Sequence, residues 1–258
     1  MRPPVLPAME AGGTSGLVNR DLPYLATSES LCSPSPTQLA GEGGEPVVIE
    51  GGMAGWPAMS RWADLGYLKH QCGFRTVPVE VGEHYLADGW TQRLMTLSDF
   101  ITRHVEGGCG DGERAYLAQH PLFDQIPALR ADIMTPEYCS LGEGEMQAVN
   151  AWFGPSGTVS CLHHDPHHNL LAQVVGTKYV RLYAPEQTPN LYPHDGLNSN
   201  TSQVDLDHGD EGGRFPRFAG AAFREALLRP GQMLYIPPRW WHYVKSLSVS
   251  FSVSFWWR

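Results

Sequence analysis

The stretch "LSVSFSVSFWW" near the C-terminus alternates apolar and polar residues with a period of two. Leu247, Val249, Phe251, Val253 and Phe255 fall on one face of an extended chain; Ser248, Ser250, Ser252 and Ser254 fall on the other. The pattern predicts a strand with one packed face and one small, polar face. Shorter runs upstream, "QAVNAWFG", "LLAQVVG", "KYVRLYAP" and "PGQMLYIPP", are apolar segments bounded by Gly or Pro. The chain from residue 147 onward therefore reads as strand-rich.

The first half mixes periods. "PVVIEGG" and "TVPVEVG" read as strands that end at glycine. "TLSDFITRHVEGG" opens with a helix-start residue, spaces Leu97, Phe100, Ile101 and Val105 along one helical face, and stops at glycines. Residues 1–45 are broken by "SPSPT" and "GEGGEP" and are expected to form a loose arm. Many short strands between Gly/Pro turns predict an antiparallel sandwich or barrel, with the helices of the first half packed outside it. The expected organisation is an arm, 1–45, and one domain, 46–258, with a helix-and-strand lead-in at 46–146 and a β core at 147–258.

Composition narrows the class. At 258 residues, 42% apolar and 10% aromatic, the chain can bury a core as a globular protein. It holds no apolar run long enough to cross a bilayer, and "MRPPVLPAMEAGG" lacks the apolar centre of a secretory signal. Five scattered cysteines without a CxxC pair argue against a disulfide framework or zinc finger and for a reducing compartment, nucleus or cytosol. A net charge of −9 argues against direct nucleic-acid binding through a basic surface and suits a basic protein partner.

The candidate chemistry lies in "SCLHHDPHHNLL", residues 160–171. On a strand, His163 and Asp165 share a face, and His164 points away. Pro166 favours a strand end, which leaves His167 and His168 on the connection beyond it, and His164, His167 and His168 are expected as surface residues. Two ligands do not complete a site. His242, after the turn and strand of "PGQMLYIPPRWWHYV", is the candidate third. Two histidines and one carboxylate form the facial triad of non-haem Fe(II) oxygenases; zinc is the chemical rival. Lys178 opens the strand after the Gly176 turn and is expected to fold back beside the strand of Asn169.

The residues "NAWFGPSGTVSCLHHDPHHNLLAQVVGTKYVRLYAPEQ", "LYPHD", "NTSQVD" and "PGQMLYIPPRWWHYVKSLSVSFSVSFWW" resemble the JmjC domain of 2-oxoglutarate- and Fe(II)-dependent oxygenases. The resemblance runs from about residue 46 to the end. It implies a mainly β double-stranded β-helix, the cupin or jelly-roll fold, with flanking helices. It implies His163, Asp165 and His242 as iron ligands, with His164 facing away. It implies Lys178 as the partner of the distal carboxylate of 2-oxoglutarate, and Tyr116, Ser160 and Asn169 as hydrogen-bonding residues around that co-substrate. With O2, such a site converts the keto acid to succinate and oxidises a C–H bond of a protein or peptide substrate.

Two outcomes are implied. One is hydroxylation of arginine at C3; the other is demethylation of a histone methyl-lysine. By the resemblance, Glu80, Trp90 and Trp152 line the substrate pocket. A carboxylate with two indoles suits a planar guanidinium, which favours the arginine reading. A non-catalytic JmjC binding module is a further alternative, disfavoured by the complete ligand triad. The family points to the nucleus.

Overall fold

The computed structural model describes residues 44–107, 113–209 and 213–258. The expected arm, apart from Gly44 and Glu45, lies outside these residues, as do Cys32 and Cys109. In chain order the strands are β1 (Val47–Glu50), β2 (Thr76–Val81), β3 (Thr91–Thr96), β4 (Ala115–His120), β5 (Met146–Gly154), β6 (Val159–His164), β7 (His168–Val175), β8 (Lys178–Tyr183), β9 (Arg224–Leu228), β10 (Gln232–Ile236), β11 (Trp241–Ser246) and β12 (Ser250–Trp257). They build an eight-stranded sheet, β1-β10-β7-β12-β5-β4-β2-β3, and a four-stranded sheet, β6-β11-β8-β9. All pairings are antiparallel. This is the expected jelly roll.

The alternating C-terminal stretch supplies β12, which lies between β5 and β7 in the larger sheet. Phe251, Val253 and Phe255 point outward onto the helical layer, where Trp62 lies 4.4 Å from Phe251 and Trp56 lies 5.9 Å from Phe255, centroid to centroid. Full burial of each large apolar side chain is worth roughly 1.5–3 kcal/mol. The serine face is equally buried but points between the sheets. Ser250 and Ser252 there bond both ends of the Gln173 amide, at 2.9 and 2.6 Å, and Ser254 accepts from Trp152 Nε1 at 2.8 Å. Small hydroxyls satisfy polar groups inside the roll without filling it.

The lead-in supplies the layer behind the larger sheet. The predicted helix around Thr96 forms: the Thr96 hydroxyl caps it by accepting from Asp99 N at 3.1 Å, and Leu97, Phe100, Ile101 and Val105 are all buried. Its second part, Ile101–Glu106, is a π-helix, a local widening that the apolar spacing did not foretell. Helices Ala58–Arg61 and Leu65–Cys72 are tied down by buried Asp132. That carboxylate accepts from Trp62 Nε1 at 2.9 Å, Tyr67 Oη at 2.7 Å and Arg61 Nη1 at 2.6 Å.

One expected connection is different. Lys178 does not fold back beside Asn169. β7 belongs to the larger sheet, and β8 pairs with β11 and β9 in the smaller. The Gly176 turn carries the chain from one sheet to the other, so Lys178 and Asn169 face the interior from opposite walls. Gly176 has φ +74°, and a Cβ there would meet the Val249 carbonyl oxygen at 1.9 Å. Only glycine fits such a crossing.

Candidate metal centre

β6 and β11 bring the predicted ligands together. His163 and His242 are register partners, with ring centroids 4.3 Å apart. Asp165 follows just past the end of β6, where Arg239 N donates to its carbonyl at 2.8 Å. Asp165 Oδ2 lies 3.8 Å from His163 Nε2 and 3.5 Å from His242 Nε2. Each imidazole is oriented by the backbone: Nδ1 of His163 donates to the Cys161 carbonyl at 2.7 Å, and Nδ1 of His242 to the Trp240 carbonyl at 3.0 Å. That assignment leaves both Nε2 lone pairs turned toward one carboxylate oxygen.

Asp165 Oδ2 is buried and has no hydrogen-bond partner. Two lone pairs and an orphaned carboxylate oxygen, all within 4.8 Å, make an unfavourable arrangement unless a cation lies between them. Burial, and next the neighbouring His163, push the His242 imidazole down in pKa, which keeps it a neutral ligand. The donor set, two imidazole nitrogens and one carboxylate oxygen, fits a divalent transition metal with open positions.

His164 points the other way, as expected, but is half-buried edge-on to Trp241 at 4.6 Å and not on the surface. The expectation for His168 is corrected. It is no surface residue on a connection: it opens β7, bonds Tyr235 Oη through Nδ1 at 2.8 Å and stacks on Trp257. His167 lies half-buried beside Trp256, not on an open surface.

A narrow cavity adjoins the three ligands and is also lined by Tyr116, Trp152, Ser160, Asn169 and Lys178. Lys178 is fully buried, and its amine donates to the Tyr116 hydroxyl at 3.1 Å. No carboxylate among the described residues pairs with it, and burial pushes its amine down to about 7. Asn169 Oδ1 is a second buried atom without a partner. With a cation held by the three ligands, this cavity, with a buried amine at its other end and polar groups between, would suit a short dianion.

Glu80 and Trp90 line a separate small cleft next door, and Tyr116 is the wall shared by both spaces. Glu80 is the register partner of Tyr116, so their side chains share a face. Trp90 is 37% exposed and approaches Glu80 Oε2 with its Nε1 at 3.4 Å. Burial raises the Glu80 carboxyl pKa, against the pull of that hydrogen bond.

The sequence reading missed Trp256 and Tyr85. Trp256 lines the metal-side cavity opposite Asn169 in register, and its Nε1 is buried without a partner. It continues the inward face of Ser252 and Ser254, so the alternation alone contained the signal. Tyr85 has no sequence signal: its hydroxyl reaches Thr201 at 3.4 Å only because two distant loops meet. Burial, and beyond it the charges of Cys161, Asp165 and Glu80, push its pKa up.

A family model described as a cupin-like domain matches residues 40–258. Lysine-specific demethylase JMJ30 of Arabidopsis thaliana is 56% identical over 215 residues, which cover 83% of this chain and 50% of that protein. Jumonji C domain-containing protein 5 of Drosophila melanogaster is 46% identical over 222 residues, covering 84% of this chain and 55% of that protein. The chain belongs to the cupin-like JmjC family. A third JmjC relative, lysine-specific demethylase 8 of Xenopus tropicalis, is 50% identical over 219 residues, 83% of this chain and 48% of that protein. The chain thus spans about half the length of these curated JmjC relatives.

Proposed function

We propose that this chain is an Fe(II)- and 2-oxoglutarate-dependent oxygenase acting on a cationic side chain of a protein. The observation that carries the reading is the pairing of an orphaned carboxylate between two oriented imidazoles with a buried, carboxylate-free lysine across one cavity. His163, Asp165 and His242 would hold the iron. Lys178, with Tyr116, would take the distal carboxylate of 2-oxoglutarate, and Ser160, Asn169 and Trp256 would supply hydrogen bonds. When bound, the metal and keto acid supply oxidation of a substrate C–H bond by O2, coupled to formation of succinate.

The chain's own residues orient and shield. The carbonyls of Cys161 and Trp240 hold the ligand tautomers. The apolar walls, Leu171, Ile236 and Val244, would keep water from Lys178 and a dianion bound to it. Lys178 charges when the dianion arrives, so its ionisation is tied to co-substrate binding.

The names of the relatives favour demethylation of a methyl-lysine, and that is the leading outcome for this site. Hydroxylation of arginine stays as a second reading because of Glu80. A half-buried carboxylate beside an indole offers a guanidinium both an acceptor and a stacking face, which a trimethyl-lysine does not need. The first reading takes a histone as the substrate and the nucleus as the compartment. The test is incubation with Fe(II), 2-oxoglutarate and peptides bearing either methyl-lysine or arginine, read by succinate release and peptide mass. Loss of a methyl mass supports demethylation; gain of one oxygen on arginine peptides supports hydroxylation. Succinate release that no peptide stimulates, with all peptide masses unchanged, argues against a protein substrate.

A further inference from the structure

Two loops meet beside the site, and one of them walls the Glu80–Trp90 cleft next to the metal-side cavity. Loop 82–90 joins β2 to β3 and carries Tyr85 and Trp90. The connection from β8 to β9 carries Thr201, Asp205 and His208. Thr201 is a bridge partner of the ligand His163, and Tyr85 reaches its hydroxyl. Two histidines complete the closure. His84 Nε2 lies 3.4 Å from Asp205 Oδ2. His208 lies between carboxylates of both loops, with Nδ1 2.9 Å from Asp205 Oδ2 and Nε2 3.4 Å from Glu83 Oε1.

The two rings have different proton requirements. His84 accepts at Nδ1 from Leu86 N at 3.3 Å, so its proton sits on Nε2 and points at Asp205. His208 faces a carboxylate at each nitrogen and satisfies both only as the imidazolium. With one proton fewer, a ring lone pair opposes Glu83 or Asp205. The surrounding charges agree. Asp205, then Glu83 and Asp207, hold the His208 pKa above its ordinary value. Asp207 is itself engaged by Tyr243 and Lys245 of β11, the strand that carries His242. Among the described residues, no other charged group faces this ring.

We propose that His208 is the positioning residue of the Glu80–Trp90 cleft: as the imidazolium it locks loop 82–90, with Tyr85, around that cleft beside the metal-side cavity, and on losing its proton it releases the loop. The proposal rests on the oxygenase reading only for what the loop covers. Glu83 and His208 are largely exposed, so the lock is weak, screened by salt and easily reversed.

The test is hydrogen–deuterium exchange of residues 82–90 in the metal-free chain at about pH 6 and about pH 8.5, corrected for intrinsic exchange. The wild type is expected to lose several-fold protection in this segment at the higher pH. H208Q should be weakly protected at both pH values and H208R protected at both, with β12 unchanged in each variant. Equal pH behaviour of wild type and H208Q overturns the proposal, as does equal protection at both pH values in the wild type. In the working enzyme, the peptide KM should rise with pH in the wild type and stay flat in H208R, with kcat little changed. A chain that turns over no peptide defeats the oxygenase reading, while the exchange data still decide the loop.

Discussion

His163 and His164 are adjacent, yet they meet opposite chemistry: one imidazole faces Asp165, the other packs edge-on against Trp241. The alternation of a strand makes the difference, and it yields a sharp contrast. Asp165→Ala should weaken Mn(II) binding, measured by calorimetry, more than about a hundredfold, because it removes the only anionic donor. His164→Ala should shift the same affinity less than about threefold. Comparable losses would place His164 in the site and refute the strand-face assignment. The three donors were legible because a period of two and a later histidine are sequence properties. Tyr85 was not, since nothing near it in sequence marks the loop that it meets across the mouth. The histidines after Pro166 were misread for a related reason. A proline ends one strand but does not say how soon the next begins, and β7 begins two residues later.

At the scale of elements, the alternation of β12 correctly predicted a strand but left open what its polar face would meet. That face is buried against Gln173 and Trp152, because a second sheet covers it. Sheet membership is likewise absent from local pattern: "VVGTK" has the form of a hairpin, yet it crosses between sheets. The crossing gives a prediction. Gly176→Ala should cost more than about 3 kcal/mol in urea unfolding, since strain at positive φ adds to a clash with backbone at Val249. A loss below about 1 kcal/mol would mean that the turn relaxes easily. The helical layer has its own weak point at Asp132. Asp132→Ala strands the Trp62 and Tyr67 donors and should cost about 2–4 kcal/mol, with Trp62 fluorescence altered in the folded state. Asp132→Asn, which keeps acceptor capacity, should cost less.

For the molecule as a whole, the buried amine of Lys178 couples stability, pH and co-substrate. Its pKa falls from 10.5 to about 7 through burial. Between these values the unfolded chain holds a proton that the folded chain has lost, so stability rises with pH across that window. Below about pH 7 both states are protonated, and the full penalty applies. A displacement of this size corresponds to roughly 4–5 kcal/mol over the whole window, as an upper order of magnitude. Urea unfolding of the metal-free chain should therefore show stability increasing from about pH 7 to about pH 9. A bound dianion offsets the cost of the buried charge. Saturating 2-oxoglutarate with Mn(II) should thus stabilise the chain most near pH 7 and flatten the slope. Lys178→Met should flatten the slope without ligand, raise metal-free stability near neutral pH, and abolish most of the response to 2-oxoglutarate while leaving Mn(II) binding in place. A variant that kept the wild-type response to the keto acid would show that the dianion rests elsewhere, and the lysine would be only a buried amine that the fold tolerates. If instead the slope persisted in the variant but the ligand response vanished, Lys178 would bind the co-substrate yet carry its charge in the metal-free fold, against the effect assigned to its burial.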